Sequence, residues 1–124
     1  MKAKTISDLY TEHIDWLTRL DFYQEMLAGM LTQLEEIVSK NTSKNILASA
    51  EHFQNQFVVQ KENIDKLRHA IHEHEIYLEH EAEKNKTDQQ RTNDLPILRE
   101  TIESFERIFN ELRSEFKKFL SVTM

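Results

Sequence analysis

Residues 6–38 read ISDLYTEHIDWLTRLDFYQEMLAGMLTQLEEIV, and their spacing decides the fold class. Apolar side chains return every seven residues in three adjacent rows. Ile6, His13, Leu20, Leu27 and Leu34 form the first row, and Leu9, Trp16, Tyr23, Met30 and Ile37 the second. Tyr10, Leu17, Gln24, Leu31 and Val38 form the third. Only His13 and Gln24 interrupt the apolar character, while Thr11, Thr18, Glu25 and Thr32 lie opposite. A seven-residue repeat keeps each row on one side of an α-helix. A stripe three rows wide predicts a first helix, over about residues 6–39, that meets at least two neighbours. Thr5 or Ser7 suits its N-cap, with Asp8 in the first turn.

The pattern continues outward from this helix. Ser39 to Asn45 is polar and reads as a turn, with Asn41 suited to a left-handed residue after the first helix and Thr42 or Ser43 suited to the next N-cap. Ile46, Ala50, Phe53, Phe57, Gln60, Ile64, Leu67, Ile71, His74, Leu78 and Glu81 then alternate by steps of four and three. They predict a second helix over about residues 44–83. Residues 84–94 lack apolar periodicity and read as a loop. Asp94 suits an N-cap, and Pro96 falls in a first turn, where its missing N–H costs nothing. Leu95, Leu98, Ile102, Phe105, Phe109, Leu112, Phe116 and Phe119 predict a third helix over about residues 95–120. The expected fold is a single all-α domain, an antiparallel three-helix bundle of long, unequal helices. Gly29, the one glycine, sits inside the first helix. It reads as a surface position, or else as a close helix approach.

Composition narrows the function classes. The 124 residues suit one domain with one core. Without cysteine there are no disulfides, thiolate metal sites or cysteine nucleophiles. The net charge is −6 and no segment forms a basic patch, which argues against a nucleic-acid partner. Apolar runs stay far below the roughly 20 residues of a membrane span. Charged residues also break up the N-terminal region, so a cytoplasmic location is expected. No glycine-rich phosphate loop and no nucleophile elbow is present.

Helix lengths predict where the bundle stays open. At 1.5 Å per residue the helices span roughly 50, 60 and 40 Å. With antiparallel neighbours folded at the loop centres, the third helix ends beside Gln60. The tip of the first two helices then extends beyond it. That tip carries Leu27, Met30, Leu31, Leu34, Ile37 and Val38 on the first helix, with Ile46, Leu47, Phe53 and Phe57 on the second. An apolar surface of this size marks an interface. The expected partner is a second copy, two tips forming a four-helix bundle. The alternative is a bent second helix that folds the tip back.

Polar residues at core positions offer the chemical leads. The same pairing sets Gln24 opposite Gln60, as a register-fixing amide layer or the floor of a small-ligand site. It places His13 and His74 about one turn apart across the hairpin. His69, His72 and Glu73 flank that layer. Imidazole and carboxylate on facing helices can hold a divalent metal ion, so His13, His69, His72, His74 and Glu73 form an alternative metal site. The spacings do not match known metal motifs: Glu-x-x-His and His-Glu-x-x-His are both absent. Histidines satisfied within the core are the more common arrangement, so no cofactor is expected.

The segments Glu12-His13-Ile14-Asp15-Trp16-Leu17, Phe22-Tyr23-Gln24-Glu25 and Glu51-His52-Phe53-Gln54-Asn55-Gln56-Phe57 resemble small bacterial helical-bundle proteins with no assigned activity. That resemblance implies a stand-alone bacterial protein and assigns no functional residue. Hemerythrin-like bundles share the histidine-bearing helical look, but of their paired motifs only His69-x-x-x-Glu73 occurs here. The functional expectation is a non-enzymatic, self-associating bundle that binds another, unknown protein. A metal-binding bundle is the alternative.

Overall fold

The computed structural model describes residues 6–83 and 95–123. It consists of α1 (Ile6–Lys40), α2 (Lys44–Glu83) and α3 (Leu95–Thr123), with no strand among the described residues. Thr5, Asp94 and the loop at 84–94 lie outside those residues, as do the side chains of Ile6, Glu81 and Leu95. No helix among the described residues is long and apolar enough to cross a membrane.

Each helix buries residues in alternating steps of three and four. On α1 the buried positions are Leu9, His13, Trp16, Leu20, Tyr23, Leu27, Met30, Leu34 and Ile37. On α2 they run from Ala50 and Phe53 to His74 and Leu78, and on α3 from Leu98 to Phe116. A period of 3.5 residues keeps two rows pointed at the neighbours along the full length of each helix. The α1 stripe is therefore narrower than the sequence suggests. Of the third row, Tyr10, Leu17 and Leu31 are half-buried at the rim, and Gln24 and Val38 are exposed.

The turn between α1 and α2 closes by two local devices. The side-chain amide of Asn41 donates to the Ile37 carbonyl at 2.8 Å, satisfying an acceptor at the end of α1. The Ser43 carbonyl accepts the first bond of α2, from the Leu47 N–H at 3.0 Å, which makes Ser43 the N-cap. Pro96 occupies the first turn of α3, as its chemistry favours.

Cross-helix partners establish the directions. Along α1 and α2, His13 meets His74 and Asp21 meets Arg68, so numbers rise on one helix as they fall on the other. Glu12 meets Arg99 and Tyr23 meets Glu106, so α3 runs parallel to α1. Phe57 packs on Phe116 at 5.1 Å between ring centroids, and Phe53 on Phe119 at 5.1 Å. The α3 helix thus climbs nearly three turns beyond Gln60. It does so because four phenylalanines set the α2–α3 register. A symmetric fold about the loop centre does not.

This register closes most of the tip. Leu27, Met30, Leu34, Ile37, Phe53 and Phe57, six of the residues expected at an interface, are buried within the single chain. Ile46, Leu47 and Leu31 are half-buried, and Val38 alone is exposed, at 44%. The second helix is continuous, so the cover comes from the reach of α3 and needs no bend in α2.

Candidate functional site

His13 on α1 and His74 on α2 occupy inward positions of the repeat and meet in the core. His74 Nδ1 lies 2.9 Å from His13 Nε2, with the rings nearly perpendicular at 77°. One of these nitrogens donates and the other accepts, so the pair shares a single proton across the bond. His13 is fully enclosed, with Tyr10 and Trp16 against its ring. Its pKa is pushed down to about 4, chiefly by burial and then by the neighbouring His74, against a smaller opposing pull from Glu12. His13 Nδ1 has no hydrogen-bond partner. The Glu75 carboxylate stands 3.6 Å away, too far for a hydrogen bond.

The remaining members of the expected metal set lie elsewhere. His69 and His72 are exposed, and His69 Nε2 pairs with Glu73 at 3.0 Å on the outer face of α2. The inward step of α2 selects His74 from the cluster and turns its neighbours to solvent. Among the described residues no three histidine, aspartate or glutamate side chains come together as a metal site. His69, His72 and Glu73 therefore stand apart from His13 and His74 in this arrangement.

The amide layer is also divided. Gln60 is buried and its Oε1 accepts no hydrogen bond. Gln24 is exposed, and its Oε1 accepts from Arg68 Nη2 at 2.7 Å while Arg68 also pairs with Asp21. Gln24 belongs to the third α1 row, which ends at the rim, so it never reaches Gln60.

Two ion-pair clusters tie α1 to α3, and sequence reasoning missed both. Arg99 donates to both oxygens of Glu12, at 2.6 and 2.9 Å. Such a forked pair fixes angle as well as distance. The Tyr23 hydroxyl donates to Glu106 Oε2 at 2.6 Å, and Arg19 donates to Oε1 at 3.0 Å. Burial and then the bond to Glu106 push the Tyr23 pKa up to about 12. These partners become visible only once the parallel α1–α3 register is known.

A groove opens between α2 and α3, on the His74 side of the histidine pair. Its volume is about 780 Å³. Leu67, His74, Leu98 and Phe105 are its buried floor. Ala70, Tyr77, Ile97 and Ile108 form much of its rim, and Ile97 is 66% and Ile108 46% exposed. The sequence carries one signal for it: Ile97 and Ile108 are apolar but fall outside the inward row of α3. The groove offers apolar surface and shape. Comparison with protein-family models, with curated proteins and with solved structures finds no match to this chain.

Proposed function

We propose that this chain is a non-enzymatic helical-bundle protein that self-associates and works through protein–protein contact, as an interaction or scaffold module. The groove between α2 and α3 carries the reading. Isoleucines as exposed as Ile97 and Ile108, set beside a concave apolar floor, mark an interaction surface. The fitting occupant is a second copy, because the rim holds Lys66 and Glu73, opposite charges that two copies can exchange. The groove takes over the role that the tip was expected to have. The cytoplasmic location expected from the sequence belongs to the same proposal.

Light scattering tests it. The expected mass at tens of micromolar is twice 14.8 kDa. Ile108→Glu puts a charge on the rim, not in the core, and should return the protein to monomer with unchanged helix content. Val38→Glu at the tip should leave the dimer intact. A monomeric parent protein, or a dimer lost only through Val38→Glu, overturns the assignment.

A further inference from the structure

Part of the groove is symmetric in its chemistry. Thirteen residues along α2 from Phe57 is Ala70, and thirteen back along α3 from Phe116 is Glu103. Because Phe57 packs on Phe116 and the helices are antiparallel, Ala70 lies level with the step between Thr101 and Ser104. All three line the groove. About that level, Ile97 mirrors Ile108, Thr101 mirrors Ser104 and Lys66 mirrors Glu73.

Helical geometry alone makes lining positions recur evenly. It does not choose the residue types. Here a large apolar residue mirrors a large apolar residue, a small hydroxyl a small hydroxyl, and a cation an anion. The smallest side chain, Ala70, stands at the centre.

The geometry points to an isologous dimer in which two copies of this chain pack groove to groove, α2 antiparallel on the partner's α2 and α3 antiparallel on the partner's α3. The two-fold axis lies in the interface, perpendicular to the helices, and passes beside Ala70. This assignment rests on the self-association reading and adds its axis and register. A two-fold operator requires that when residue i meets j, j meets i. Lys66 of each copy then meets Glu73 of the other, and Ile97 meets Ile108, both twice over. All four helices at the centre become antiparallel neighbours, the usual arrangement of a four-helix bundle. Ala70 at the axis permits the close approach of about 8 Å between helix axes that small residues allow. The other face-to-face axis, along the helices, stacks α2 on α3 of the partner. It sets Ile108 against Lys66 and Asn63, and Ile97 against Glu73 and Tyr77. That sets each isoleucine beside one charged side chain and separates Lys66 from Glu73, so the perpendicular axis is favoured.

The chain has no cysteine, so a single Ala70→Cys can form a disulfide only between copies. At the axis the two thiols come within the range a disulfide needs. Mild oxidation should convert Ala70→Cys to a covalent dimer, while Gly29→Cys on α1 stays uncrosslinked. Lys66→Glu and Glu73→Lys should each raise the dimer dissociation constant by about tenfold at low salt, since each change acts at two symmetric sites and adds repulsion. The double swap should restore the parent value. Circular dichroism confirms that every variant is folded. A parent protein that is dimeric, with no Ala70→Cys crosslink and no charge-swap rescue, overturns this axis and leaves self-association standing. A monomeric parent overturns both, and assigns the groove to a helix of a different protein.

Discussion

His13 and His74 share one hydrogen bond between their rings in the core. Both inward positions follow from the seven-residue repeat, and their meeting from antiparallel pairing, so this part of the site was legible in the sequence. Which histidines turn away was legible too, had the inward step of α2 been applied strictly to His69 and His72. The pair makes stability depend on pH. An ordinary histidine titrates near 6.5, whereas folded His13 titrates near 4. Between those values the unfolded chain binds a proton that the folded chain refuses, so stability rises with pH. The contribution is fully present above pH 6.5 and is lost as pH falls toward 4, on the order of 3 kcal/mol for a shift of this size. Urea midpoints measured across that window should fall more steeply for the parent than for His13→Leu/His74→Leu. Near pH 7 the double variant should be as stable as the parent or more so, because similar apolar volume replaces a buried polar pair. His13→Leu alone should cost about 1–3 kcal/mol, because it strips His74 Nδ1 of its buried partner. A single variant as stable as the double would contradict the shared bond.

At the level of the helix, α1 shows what periodicity does and does not specify. Its inward rows and its C-terminal end at Lys40 follow from spacing and local capping chemistry. The width of its buried face does not, because Tyr10, Leu17 and Leu31 are as apolar as core residues and yet stop at the rim. Where the stripe ends depends on where α2 and α3 sit, which no single helix encodes. Gly29 resolves more simply. A side chain added there would meet nothing within 4 Å, so the glycine serves no close helix approach. Gly29→Ala should therefore stabilise the protein by about 1 kcal/mol through helix propensity alone. Thermal or chemical denaturation should show this gain with no change in oligomeric state, since Gly29 lies away from the α2–α3 groove. A loss of stability would place an unseen neighbour against α1.

Across the whole molecule, the decisive quantity was the register of α3 on α2, and it was the one least legible. Loop centres predict an α3 that ends beside Gln60, leaving Phe53 and Phe57 for a partner. The actual register carries Phe116 onto both, at 5.3 and 5.1 Å between ring centroids, and moves the open apolar surface from the tip to the lower α2–α3 groove. The reason is energetic. Fully burying a phenylalanine is worth about 1.5–3 kcal/mol, and each aromatic pair adds about 0.5–1.5 kcal/mol beyond burial. Four phenylalanines interlocked at one level therefore dominate the choice of register. A double-mutant cycle tests this register directly. Phe53→Ala and Phe116→Ala should each cost about 3–5 kcal/mol in urea denaturation. Together they should cost less than the sum of the two, by about 1 kcal/mol or more, because each removes the other's partner. Under the loop-centred register the two rings lie nearly three turns apart, too far for contact, and their costs should add. Strict additivity would return the exposed face to the tip, and with it the interface expected from helix lengths.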